Sequence, residues 1–457
     1  MSAQKLYVEV NSCTVPEAGV PCEISIQFPR LLLLVFFSAV FSSAVWADLP
    51  SVYGKDFARQ GASWGDVRPP REAPTQVAAQ SRPELAYQRQ LDDFESVGGP
   101  YADKLSEPLL GLGRYYAGKG EYERAIQLFR RALHVVRLSD GLYSEQQAPF
   151  VRELLDTIRL SGDLQALDDR YDYFFRLYGS GEPPYTPLRM RASLEYLRWQ
   201  REVLRLGFDS QEKKRLLELY QLNDRLLNAT WESGAISQED QWDLAVSQIR
   251  NLYLLLSIIQ PRLTISGPGA GSMVSTVAAQ NGDIDFDQKR LETIQRGTLS
   301  RGESVLQQYI GAAKAGYVAR TTQQRARANL ELGDWYQWNG SNARARKQYS
   351  TVVKLLVEAG EGELMQAWFG GPVELPDNGA FWQPPVVVPG VDSSIVTATY
   401  DVTAKGRVKN LTVDAADQTS VYKFKRELKN TRFRPRYDAS GESVSVEKLT
   451  RKYQLYD

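Results

Sequence analysis

The sequence predicts a multidomain chain: an all-α helical-repeat solenoid followed by a small α+β domain with its elements in the order ββαβ. Three observations carry this. Between Leu109 and Ala132, Leu109, Leu112, Gly113 and Tyr116 fall at i, i+3, i+4 and i+7, one face of a helix; after Gly118 and Gly120, Ala125, Phe129 and Ala132 do the same on a second helix. Near the end of the helical region Leu332, Gly333, Tyr336, Ala345 and Tyr349 repeat those offsets. Beyond Gly390 the apolar period falls from 3.6 residues to 2, with Val396, Ala398, Tyr400 and Val402 alternating with Thr397, Thr399 and Asp401. At 457 residues the chain is also too long for a single core.

Gly113 and Ala125 are small where two antiparallel helices would cross, which lets the backbones approach closely. This set of sizes at these spacings resembles the tetratricopeptide repeat (TPR). The segment departs from that pattern at Leu109, where the family often has tryptophan, and at Arg137, where it has a helix-terminating proline. The resemblance implies a binding surface without chemistry of its own. Less regular pairs follow at 147–160 and 164–177, split by Ser161-Gly162-Asp163, and long amphipathic helices at 188–206, 210–228, 237–259 and 292–315. Two clear repeats with degenerate ones between them predict about five to seven helical pairs, since fewer than three would not bury a continuous core.

Upstream, Arg30 precedes the apolar run LLLLVFFSAVFSSAVWA, which ends on Ala47 before Asp48. A cation, an apolar stretch and a small terminal residue make a secretory signal, and its 17 residues fall short of the ~20 that span a bilayer. Cleavage there removes both cysteines, Cys13 and Cys22, as suits an oxidising compartment; the alternative is a retained membrane anchor. The predicted organisation is a leader and signal peptide at 1–47, a flexible Pro/Gly/Ala/Gln-rich tether at 48–83, the solenoid at 84–358, a Gly/Pro/Trp linker at 359–390 and the α+β domain at 391–457.

In that last domain Lys405-Gly406 supplies a turn, 407–413 the hairpin partner, 420–429 a basic helix presenting Val421, Phe424 and Leu428, and 443–455 a final strand. With Gly406-Arg407-Val408, Arg432-Phe433-Arg434-Pro435 and Gly441-Glu442-Ser443-Val444, this order resembles the C-terminal domain of TonB family proteins. The resemblance implies a periplasmic location and capture of an extended peptide as an added strand on an open sheet edge. The transducers of that family carry a histidine in their membrane helix; the one histidine here, His134, lies in the first repeat.

Candidate contacts follow from these two readings. Asp334 and Trp338, with Arg114 at the place equivalent to Asp334, project toward the concave face of the solenoid. Ser443, Val444, Ser445 and Val446 form the expected edge strand, with Lys423 and Arg426 on the basic helix beside it. That tail holds 13 Lys or Arg against 8 Asp or Glu from Ile395 on, a docking surface for an acidic partner.

Other chemistry is excluded or unsupported. Lys plus Arg and Asp plus Glu balance at 55 each, so no global field draws nucleic acid. One histidine and no mature cysteine leave the usual zinc and iron ligands missing. In Gly282-Asp283-Ile284-Asp285-Phe286-Asp287 the acids alternate as in a calcium loop, but Gln288 and Ile294 stand where glycine and the closing glutamate are needed. His134 has no nucleophile motif around it, and Gly267-Pro268-Gly269-Ala270-Gly271 lacks the Lys-Ser/Thr ending of a phosphate loop. The expectation is a non-enzymatic periplasmic protein-binding adaptor without cofactor, using the solenoid groove and the sheet edge to hold envelope proteins or peptides. The alternative is an inner-membrane-anchored energy transducer serving an outer-membrane receptor.

Overall fold

The computed structural model of the chain describes residues 51–52, 57–59, 83–207, 211–233, 236–258, 286–314, 321–381, 394–414 and 418–455. The signal at 30–47, most of the tether, the glycine-rich loop at 267–271 and the carboxylates of Asp283 and Asp285 lie outside them. Helices α1 (Pro83–Gly98), α2 (Ser106–Gly118), α3 (Tyr122–Asp140), α4 (Ala148–Ser161), α5 (Leu164–Leu177), α6 (Pro187–Leu206), α7 (Glu212–Ser233) and α8 (Gln238–Ile258) come first. They are followed by α9 (Phe286–Arg296), α10 (Thr298–Lys314), α11 (Thr322–Trp338), α12 (Asn342–Glu358) and α13 (Gly362–Phe369).

The sizes read from the sequence decide how the hairpins close. A Cβ on Gly113 would lie 2.4 Å from the Phe129 ring, and one on Gly333 2.6 Å from the Tyr349 ring. Only glycine lets α2 reach α3, and α11 reach α12, with an aromatic ring between them. Ala125, Phe129, Ala345 and Tyr349 are all buried. The turns are equally regular. Glu121, Ser341 and Glu361 each donate their backbone N–H five residues back, to the carbonyls of Tyr116, Tyr336 and Leu356 at 3.0, 2.8 and 2.9 Å. The residue just before each donor is a glycine with φ of +80°, +80° and +72° (Gly120, Gly340, Gly360). This is the Schellman stop, which satisfies the last carbonyls of a helix and needs a left-handed residue.

The third of these stops ends α12 and leads into α13, so the stretch expected to be a linker at 359–390 begins with one more short helix. It continues into a two-residue strand, β3 (Val373–Glu374). The predicted helix 292–315 is likewise two helices, α9 and α10, separated at Gly297.

The α+β domain follows the predicted order, with β4 (Ser394–Val402), β5 (Val408–Asp414) and α14 (Gln418–Asn430), then β6 (Phe433–Arg434), β7 (Arg436–Tyr437), β8 (Ser443–Val444) and β9 (Val446–Leu455). Val396, Ala398, Tyr400, Val402 and Tyr453 form a buried sheet face closed by Phe424 and Leu428 of α14 and by Phe433. Around Asp401 the register of β4 slips against both neighbours. There the Asp401 carboxylate accepts from the Lys448 backbone N–H at 2.8 Å and from the Asn410 amide at 2.5 Å. Both of those residues have positive φ, so the side chain anchors a bulge in each neighbouring strand.

Three apolar cores result. One joins α1 to α6, a second runs from α6 to α13 and takes in Tyr437, and the third lies inside the sheet. Tyr437 packs edge-on against Tyr349 and Phe369, at 5.5 and 5.3 Å between ring centres, so the tail shares a core with the last hairpin. The α+β domain is therefore fused to the end of the helical stack.

Candidate functional site

Along the first half of the stack, successive first helices are tied by ion pairs: Arg114 of α2 to Glu153 of α4 at 2.8 Å, and Arg152 of α4 to Glu195 of α6 at 2.9 Å. Arg159 and Glu202 add a two-pronged pair between α4 and α6. Half of the Arg114 side chain stays accessible, as its assignment to a binding face requires.

Along the second half the chain binds itself. The strap after β3 runs across α6, α8 and α11. Arg205 of α6 donates to the carbonyls of Gly379 and Ala380, and Arg250 Nε of α8 donates to the Asn378 carbonyl at 2.6 Å. The Asn378 amide donates to Glu331 of α11 at 2.5 Å. The arginine contacts go to main-chain carbonyls, which any peptide offers, and the Asn378 amide adds one side-chain contact.

The same strap joins the two parts of the molecule. β3 pairs antiparallel with β6, and Glu374, fully buried, takes the Arg451 guanidinium and the Tyr453 hydroxyl of β9, the latter at 3.0 Å. Arg434, buried to 1%, sits between Asp377 at 2.7 Å and Asp334 at 3.3 Å, while the Tyr349 hydroxyl donates to Asp334 at 2.8 Å. Gln337 of α11 donates to the carbonyls of Lys405 and Phe433, both at 2.9 Å.

This corrects the expectation for Asp334. It is 4% exposed and holds a cation of its own chain, because Arg434 arrives from far along the sequence to neutralise it. Trp338 is half-buried, with its ring edge-on to Tyr253 at 5.0 Å. Arg114 keeps an accessible position, but the structure does not bring it together with Asp334 or Trp338.

The expected edge strand is corrected as well. The segment 443–455 is two strands: Ser443 and Val444 pair with Tyr437 and Arg436 in β7–β8, Ser445 accepts from the Ala404 N–H at 3.0 Å, and Val446 starts β9 against Val402. β9 is central, in a sheet ordered β1–β2–β9–β4–β5, where β1 is Ser51–Val52 and β2 is Phe57–Arg59. The far end of its other margin, Tyr453 to Leu455, is taken by β2 from the predicted tether. Among the described residues the sheet's terminal strand on the opposite side is β5, whose one strand partner is β4. Arg426 is exposed on α14; the side chain of Lys423 lies outside the described residues.

Burial dominates the electrostatics of the junction. It pushes the Asp334 carboxyl up to about 7 against the pull of Arg434, and it raises Glu331 as well. Tyr253, Tyr349 and Tyr453 are driven well above the ordinary tyrosine range for the same reason. Arg434 and Arg451 stay cationic, because facing carboxylates outweigh their desolvation. Neither Asp334 nor Arg434 has solvent or space beside it for a substrate, so the cluster is a clamp. Sequence reasoning missed it because Arg434 was visible only as part of a family-like motif. Gly360, twenty residues after Gly340, was the available sign that the repeat runs on toward the tail.

Among the described residues no cluster of His, Cys, Asp or Glu could hold a metal ion, and no helix is long and apolar enough to cross a membrane. The molecule belongs, on its own geometry, to the helical-repeat proteins, with a small α+β domain fused to the last repeat. No known family profile matches the chain, and no curated protein does. Among solved structures it is similar to the nearly identical TPR-like repeats of a Podosopora anserina protein described as a kinesin light chain, at 12% identity over 56% of this chain and 96% of that one, with a TM-score of 0.35. A second structure of those repeats aligns at 10% identity over 48% and 85%, with a TM-score of 0.29. A circular tandem repeat protein with a novel repeat topology aligns at 15% identity over 63% and 67%, with a TM-score of 0.27.

Proposed function

We propose that this chain is a non-enzymatic protein-binding adaptor of the Gram-negative periplasm. The observation that carries the reading is the strap: the face of α6, α8 and α11 already holds a segment of main chain, supplied in cis, through its carbonyls. The equivalent face of α2 and α4 bears Arg114 and Arg152 and is where a partner's peptide would lie. The sheet supplies the second mode. β2 adding to β9 is β-augmentation within one chain, the capability expected of a TonB-like domain.

A photoreactive residue at position 114 tests the first site against one at position 338, where the chain's own aromatic cluster lies. The reading expects a protein adduct from position 114 in an envelope fraction and none from 338. Equal labelling from both positions, or none from 114, sinks it. Export is tested separately by the mature N-terminus, which should be Asp48; an intact segment 31–47 in the inner membrane would instead support the anchored transducer.

A further inference from the structure

A second feature of the helical stack lies apart from these faces. Arg130 and Arg137 are two turns apart on α3, and Arg170 stands on α5, with Tyr173 one turn beyond it. The Arg137 and Arg170 guanidinium carbons lie 4.4 and 5.7 Å from the centre of the same Tyr173 ring. Arg137 is held in place: its Nε donates to Gln147 Oε1 at 3.2 Å and to the Tyr173 hydroxyl at 3.0 Å. Gln147, fully buried, is itself fixed by donating to the carbonyls of Gly141 and Leu142 at 2.9 and 2.8 Å.

No carboxylate of the described residues forms an ion pair with any of the three arginines, and the Arg170 Nε is buried with no hydrogen-bond partner. Burial and then the charges of Arg130 and Arg137 depress the Arg170 pKa, with Tyr173 and Asp169 opposing them more weakly. Two like charges on one ring, one with an unsatisfied donor, cost stability unless something anionic sits between them. In the same layer of helices an arginine does meet an acid at Arg215–Asp168, between α7 and α5.

We propose that Arg137, Arg170 and Tyr173 form an oxyanion site that takes a phosphoryl group. A guanidinium presents its donors as a planar fork that matches phosphate oxygens two at a time. A phosphoryl dianion offers oxygens enough for both forks and balances two positive charges, whereas a single carboxylate would leave one uncompensated. The group can come from free phosphate or from a phosphate-bearing lipid surface.

Calorimetric titration of the full chain with inorganic phosphate, at ionic strength held constant with chloride, tests the site. The expected result is saturable binding that Arg170→Gln and Arg137→Gln each weaken about tenfold or more, the cost of losing a charge-assisted hydrogen bond. Arg170→Gln loses no hydrogen bond or ion pair within the protein, only the long 5.7 Å contact with the Tyr173 ring, so in phosphate-free buffer it should melt at or above the wild-type temperature; a purely structural arginine would melt lower. Sedimentation with phosphatidylcholine vesicles, with and without phosphatidic acid, separates the sources: pelleting that needs phosphatidic acid and Arg170 assigns a lipid headgroup, and phosphate binding without pelleting assigns the soluble ion. Failure of both probes, equal binding by Arg170→Gln, or equal competition by acetate overturns the proposal.

Discussion

The two clear repeats of this chain share a sequence pattern and differ in what they face. In α2–α3, Gly113 receives Phe129, and the neighbouring Arg114 pairs with Glu153 while staying half accessible. In α11–α12, Gly333 receives Tyr349, and Asp334 is sealed beneath Arg434. The replacement of phenylalanine by tyrosine accounts for part of the difference, since only Tyr349 carries a hydroxyl that can hold Asp334. One packing solution thus supports an open binding face at one end and an internal clamp at the other. The variable residue next to the invariant small one decides which.

The largest break in that comparison should come from Arg434→Ala. It leaves Asp334 buried without its cation, and removing one partner of such a pair costs about 3–5 kcal/mol. Denaturant unfolding should show that loss, with limited proteolysis releasing the tail from 394 on. The same substitution at Arg114 removes a pair whose arginine is half accessible and should cost less, about 1–2 kcal/mol, so near-equal losses would refute the contrast.

Gly333→Ala and Gly113→Ala come next. Each drives a methyl group into an aromatic ring and should cost about 1–3 kcal/mol. The two are expected to unfold their repeats comparably, but only Gly333→Ala should also loosen the tail, because it moves Tyr349. Equal tail protection in hydrogen exchange for both variants would separate the ring from the clamp.

A finer test uses pH. Burial raises the folded-state pKa of Asp334 to about 7 from an unfolded value of 3.8, so the folded junction favours the neutral acid. That contribution is complete below the unfolded value and is lost as pH rises through the folded one. Unfolding midpoints should therefore fall from about pH 4 to about pH 7 and then level off. Asp334→Asn, uncharged throughout, should flatten that slope, while Glu153→Gln in the open half should leave it in place.

The smallest effect is expected from removing residues 51–59. The three β2 residues pair with only the last three residues of β9, so the melting temperature should move little. Binding of an extended peptide at that margin should instead become easier.

The hairpins were legible because their signals are local. Gly113, Ala125 and Phe129 specify a crossing by size alone, and Gly120 and Gly340 mark turns by backbone conformation. The division of the tail into strand, strand, helix and strand was legible from a change of period. The break at Ser445 was not, since the alternation of Ser443 to Val446 runs through it unbroken; only competition between β7 and β4 for the chain splits the strand. The strap was read as a linker because its few apolar residues follow no period, its order coming from contacts to α6, α8 and α11.

By itself the sequence determined the helical hairpins, their close crossings and the mixed tail, because side-chain size, turn chemistry and periodicity act between neighbours along the chain. Tertiary structure alone decided which surfaces remain available: that Asp334 meets Arg434, that β9 is central, and that two arginines meet at Tyr173. Those outcomes depend on charges and strand margins brought together from distant positions, where desolvation makes an unmatched group costly and a matched one specific.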